Sequence, residues 1–428
     1  MSLLGIKKTF EEIEDACMQP TRLLSLKDSL CVVATCKKIQ LLKLQQDSQL
    51  CNKLNQDITR TKLRTEILKE ISTDHTSIQS LCTLRTGEKD SFSIATVDSA
   101  GCTALSVIKF PQTQGTVTSE MISYTSSSPS SSSGHILSDA YQGAGWAGII
   151  ALPNASIVAT CLYLTKKFTI VDVNTDNRPL RCLNTMKNPT AIVNVDENCV
   201  AITEGGLFSM WDSRVSALDG FTTRVPIVDG RSPMWTLCPN REGSEVLVAG
   251  SDRNIYVYDV RNLSKKLKCS TPCKFDVVKI LPSSLTDVFY ICGYDNEMLQ
   301  FDISLERYNS RPPHDKKERK KREKIAIETE EDSGSHSQRC LGKDKGDNFV
   351  SNKRSTHNKN TDSGMKGIER SKLKEQHERG FKAQSNWVGA DVFVGDDGND
   401  TIHGLCDLGN IYMLKHAQFM NSVGTRRT

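Results

Sequence analysis

Histidine is scarce in this chain, with eight among 428 residues. Four of them, His314, His336, His357 and His377, share one polar stretch. An acid/base site would have to draw on His75, His135, His403 or His416, and none of these has a visible partner in the sequence. A glycine-rich phosphate loop, a nucleophile elbow and a His-Glu-x-x-His segment are all missing. These absences leave no catalytic residue to name, and neither an enzymatic activity nor a cofactor is expected. No apolar run is long enough to span a bilayer, so no membrane partner is expected. Lys7 and Lys8 follow Leu3 and Leu4 too closely for a signal-peptide core.

Cysteine is plentiful, at fifteen residues, but Cys31, Cys82, Cys161, Cys182, Cys199, Cys238 and Cys292 are spread through apolar segments. In a reducing compartment such residues act as small buried hydrophobes. Cys269 and Cys273 lack a second Cys or His pair at zinc-finger spacing. Asp396, Asp397 and Asp400 lack the alternating ligands and final Glu of a calcium loop and read as an inter-strand turn. No metal is expected.

What the chain does contain is a recurring phrase. Residues 250–259 read Gly-Ser-Asp-Arg-Asn-Ile-Tyr-Val-Tyr-Asp, and residues 293–302 read Gly-Tyr-Asp-Asn-Glu-Met-Leu-Gln-Phe-Asp. Looser copies end at Asp212 and Asp172, and Asp407 opens a further turn-strand phrase without the final Asp. The terminal residues Asp172, Asp212, Asp259 and Asp302 are 40, 47 and 43 positions apart, the period of four-stranded propeller blades. Each copy encodes a tight turn and a strand. Gly250 and Gly293 tolerate unusual backbone angles, and Asp252 and Asp295 can accept hydrogen bonds from turn N–H groups. Ile255 and Val257 alternate with Tyr256 and Tyr258, so both strand faces are apolar. That pattern suits a strand buried between two neighbouring blades.

These residues resemble the WD-repeat family. Trp211-Asp212 is its name-giving dipeptide, and Tyr258-Asp259 and Phe301-Asp302 are aromatic variants of it. The resemblance implies an all-β propeller that acts as a noncatalytic interaction scaffold for other proteins. It departs from the family in lacking the Gly-His that opens each repeat, which implies blades held more by packing than by a histidine–aspartate network.

Seven candidate blades can be drawn, over residues 23–44, 78–108, 146–183, 189–225, 235–269, 275–303 and 387–416, although six or eight remain compatible with the spacing. Trp146, Trp235 and Trp387 mark innermost strands. Residues 1–305 hold six blades, with a helix or rim segment expected over 3–18 and a serine-rich loop over 111–142. An outer strand and a long loop are expected within 45–76. Residues 306–385 carry 21 basic and 14 acidic residues, a net +7 that exceeds the whole chain's +4 and leaves the remainder near −3. They read as a disordered insertion. Residues 386–418 form the last blade, and 419–428 a tail. Within the insertion, Lys316, Lys317, Arg319, Lys320, Lys321, Arg322 and Lys324 form a polybasic run. It fits a nuclear-import signal, or alternatively contact with RNA or DNA phosphates, and it leaves the nucleus, the cytoplasm or both as the expected location.

Overall fold

The computed structural model describes residues 2–8, 21–46, 63–75, 77–84, 91–110, 117–124, 145–153, 157–173, 179–215, 220–227, 232–271, 273–294, 296–304, 380–395 and 398–416. Within them lie 28 strands in seven four-stranded antiparallel sheets. Strand β1 (Ser2–Lys8) opens the chain. Blade one is β2 (Leu23–Lys27), β3 (Leu30–Ala34), β4 (Lys38–Gln46) and β5 (Leu63–Ser72). Blade two is β6 (Ile78–Leu84), β7 (Ser91–Asp98), β8 (Thr103–Lys109) and β9 (Thr118–Tyr124). Blade three is β10 (Ala147–Ala151), β11 (Ile157–Leu162), β12 (Lys167–Asp172) and β13 (Pro179–Asn184). Blade four is β14 (Pro189–Asn194), β15 (Cys199–Glu204), β16 (Leu207–Asp212) and β17 (Phe221–Pro226). Blade five is β18 (Met234–Pro239), β19 (Glu245–Gly250), β20 (Asn254–Asp259) and β21 (Asn262–Ser270). Blade six is β22 (Val277–Pro282), β23 (Val288–Gly293), β24 (Glu297–Asp302) and β25 (Gly380–Lys382). Blade seven joins β26 (Trp387–Val394), β27 (Asp400–Cys406) and β28 (Asn410–His416) to β1.

The seven sheets form a closed propeller. Seven apolar clusters lie among the described residues, and each joins one pair of consecutive blades. Cys238, Leu247 and Val257 of blade five meet Ile280, Phe289 and Phe301 of blade six, for example. The junction that closes the ring sets Leu23, Val33 and Leu42 of blade one against Val388, Leu405 and Ile411 of blade seven. This explains why the third strands are apolar on both faces: one neighbour covers each side.

The antiparallel pairing of β1 with β28, from Ser2↔Lys415 to Lys8↔Asn410, overturns the helix expected over 3–18 for its first part. The bare edge of β28 offers a row of backbone partners that a short isolated helix lacks. Residues 9–18 lie outside the described residues. Two further expectations change. Strand β9 lies inside the segment read as a serine-rich loop, and β25 lies inside the segment read as a disordered insertion. Both are outermost strands, which have only one neighbour in their sheet and so need little apolar sequence. Residues 306–379 and 417–428, with the polybasic run at 316–324, lie outside the described residues.

Candidate interaction face

Because consecutive strands are antiparallel, the links from second to third strand and from fourth strand to the next blade share one face. Their hydrogen bonds tie them together there. Thr185 N donates to Lys166 O at 2.8 Å, Tyr294 N to Asp276 O at 2.9 Å, and Asn188 Nδ2 to Tyr163 O at 2.9 Å.

The second-to-third turns of blades two to seven follow one backbone rule. One or two residues before the third strand, the chain enters the left-handed region at Gly101, Lys166, Gly205, Arg253, Asn296 and Gly409. Glycine and asparagine suit that conformation, whereas a lysine or arginine costs about 1 kcal/mol or more there.

Buried carboxylates hold the inter-blade loops. Glu204 is fully buried, and its Oε2 accepts N–H bonds from Met186 at 2.5 Å and Lys187 at 3.1 Å. Glu297 is also buried, with Oε1 2.8 Å from Lys382 Nζ and Oε2 accepting from Lys274 N at 3.4 Å. A carboxylate placed here without donors would be costly, and with them it fixes the loop that supplies them. In blade two a histidine does this work. His75 Nε2 lies 2.9 Å from Thr96 Oγ1, its Nδ1 lies 3.4 Å from Asp98 Oδ2, and Asp98 Oδ1 accepts from the turn amides of Ala100 and Cys102. The sequence hid this network, because Asp74 rather than glycine precedes His75.

These anchored loops display apolar side chains to solvent. Eight large hydrophobic residues are exposed among the described residues, and five of them lie on this face: Leu164, Met186, Phe275, Tyr294 and Leu408. Met186 is 61% exposed and Leu164 46%, on loops that hydrogen-bond to each other. Of the other three, Ile67 and Leu180 sit on outermost strands and Leu285 on the opposite face. Lys166, Lys187, Arg253 and Lys274 are exposed beside the five.

The residues singled out in the sequence divide between the two faces. Asp252 lies in its turn on this face, where its carboxylate accepts from Asn254 N at 3.2 Å and Tyr256 OH at 2.5 Å. Asp407 occupies the matching turn of blade seven, 3.5 Å from Asn386 Nδ2. Asp295 lies outside the described residues. Asp172, Asp212, Asp259 and Asp302 end third strands at the opposite face. Arg214 clamps Asp212 through two nitrogens, at 3.0 and 2.7 Å, and holds its carboxyl down at about 2. Trp211 is buried against Phe168, with ring centroids 5.5 Å apart. Gly220, at φ 63°, makes room for the Trp211 indole: a Cβ there would fall 2.4 Å from Nε1.

One other cluster could be mistaken for catalytic machinery. At the junction of blades seven and one, Ser25 Oγ lies 2.9 Å from His403 Nδ1, and Ser25 N donates to Asp391 Oδ2 at 2.7 Å. His403 Nε2 faces the Asp28 carbonyl at 3.1 Å. A carbonyl only accepts, so the proton is assigned to Nε2, and Ser25 donates to Nδ1. Burial lowers the imidazole to about 4 and raises the Asp391 carboxyl to about 6. Both ring nitrogens are engaged inside the wall, and the group works as an inter-blade fastener. Asp400, expected in a solvated turn, is fully buried and accepts from Ser283 Oγ, Ser284 N and Tyr290 OH between blades six and seven.

No family model and no curated protein matches this chain. Among solved structures, the crystal structure of Chaetomium thermophilum Raptor aligns with a TM-score of 0.49 at 13% identity, over 71% of this chain and 24% of that one. This chain therefore spans about a quarter of the Raptor chain's length. The structure of Chaetomium thermophilum Sqt1, bound to the N-terminus of ribosomal protein L10, aligns with a TM-score of 0.48 at 11% identity, over 91% of this chain and 82% of that one.

Proposed function

We propose that this protein is a noncatalytic interaction scaffold of the WD-repeat type, a subunit of an intracellular assembly that binds other proteins through the face described above. The observation that carries this reading is the concentration of exposed Leu164, Met186, Phe275, Tyr294 and Leu408 on anchored loops of one face. Rigid apolar side chains at a surface supply binding energy at little ordering cost, the usual character of interface anchors. The double variant Met186→Asp, Phe275→Asp should fold normally and lose the proteins that copurify with the wild-type chain from cell extract. An unchanged set of copurifying proteins would overturn the reading.

The polybasic run from Lys316 to Lys324 supports nuclear import as its role, with phosphate contact as the alternative. Replacing Lys316, Lys317, Arg319, Lys320, Lys321 and Arg322 by Ala should move a tagged protein towards the cytoplasm. An unchanged nuclear fraction would reject import. RNA binding that weakens steeply with salt and vanishes in the same variant would favour the alternative.

A further inference from the structure

The junction of blades three and four presents two exposed apolar side chains on loops that each carry an exposed lysine. Leu164 and Lys166 come from the turn between β11 and β12, and Met186 and Lys187 come from the loop between β13 and β14. The two loops are bonded through Thr185 N to Lys166 O and through Asn188 Nδ2 to Tyr163 O. Glu204, a carboxylate bonded to these loops, is buried beneath them and engaged by backbone N–H groups and Arg224. Lysine at position 166 is itself informative. Its backbone is left-handed at φ 53°, where the matching turns of blades two, four, six and seven use Gly101, Gly205, Asn296 and Gly409. The chain keeps a cation where glycine or asparagine would be less strained, as it also does at Arg253 in blade five. Strain retained at an exposed position points to a use for the side chain.

We infer that this platform binds an acidic protein segment, one that sets an apolar side chain against Leu164 and Met186 and carboxylates against Lys166 and Lys187. The inference deepens the interaction-face reading and rests on it. The apolar pair favours a protein over a nucleic-acid backbone, because a phosphate chain gains nothing from burying leucine and methionine.

The test is site-specific photocrosslinking in cells with p-benzoylphenylalanine incorporated in place of Met186, and in a second chain in place of Phe275. The crosslinked peptides are then sequenced. At position 186 the captured segment should be rich in Asp and Glu. In a Lys166→Glu, Lys187→Glu background the yield should fall roughly tenfold, since two exposed ion pairs each contribute a factor of about two to five. Lys166→Asn should raise the Tm by roughly 1–3 °C through relief of backbone strain while lowering the yield, a combination that a merely structural lysine would not give. A basic or neutral segment, a nucleic-acid adduct, or a yield indifferent to the lysine changes would overturn the inference. Capture at 275 but not at 186 would overturn it and spare the interaction face. Capture at neither position would sink both.

Discussion

Asp391 and His403 pair across β26 and β27, and burial moves their protonation in opposite senses. The folded imidazole titrates at about 4 against an ordinary 6.5, so its contribution to stability is full above 6.5 and is lost as pH falls towards 4. The folded carboxyl titrates at about 6 against an ordinary 3.8, so its contribution is greatest below 3.8 and is lost as pH rises through 6. Between pH 4 and 6 the two slopes oppose each other. Asp391→Asn should therefore lose stability more steeply than wild type on acidification from 6.5 to 4. His403→Gln should gain relative to wild type over the same range. Urea midpoints measured across that interval check both, and parallel curves for the two variants would refute the opposition. Lys279 and Asp28 are the other charged groups acting on the pair, and they are unchanged in both variants. Asp252→Ala should cost roughly 1–3 kcal/mol, because the Asn254 amide and Tyr256 hydroxyl lose their acceptor. A denaturation midpoint that stays put while partner binding disappears would make Asp252 a contact residue instead.

Strands differ in how much of themselves they announce. The third strands β12, β16, β20 and β24 were legible because a turn with a special backbone demand is followed by a run apolar on both faces. The outermost strands β1, β9 and β25 were not, because one edge of each lacks a partner strand and, for β1 and β25, the partner is remote in sequence. Residues 380–382 pair with β24 across 81 to 85 positions of chain. The interaction face was partly visible. The turn phrase located Leu164 and Tyr294, but no pattern in the chain says that Met186, half a blade away in sequence, stands beside Leu164. Glu204 and Glu297 looked like ordinary strand residues, and their buried anchoring role depends on loops that only the folded ring brings near. At this scale β1 offers a direct test. Deleting residues 2–8 leaves β28 with an open edge, and the Tm should fall by about 5 °C or more while self-association rises. A monomer that melts like wild type, judged by calorimetry and size-exclusion chromatography, would show that β1 contributes nothing.

For the molecule as a whole, the boundary of the polar insertion decides what can be removed. A chain lacking 310–375 keeps every described strand and should melt within a degree or two of wild type. Extending the deletion to 385 removes β25, the buried Ala383, and Phe381, which packs 5.2 Å from Tyr412 and 6.3 Å from Trp387 between blades six and seven. That chain should lose cooperative melting, and equal stability of the two would remove β25 from the fold. The position of β1 in blade seven has a consequence for synthesis. Ser2–Lys8 leaves the ribosome about four hundred residues ahead of its partner β28. At typical elongation rates of about 5–20 residues per second, β1 waits on the order of 20–80 s for Asn410–His416. Over that interval the blades already made form an open arc with an uncovered apolar flank at each end. The growing polypeptide is thus a client for whatever shields nascent chains, and the ring closes only once Asn410–His416 has been made.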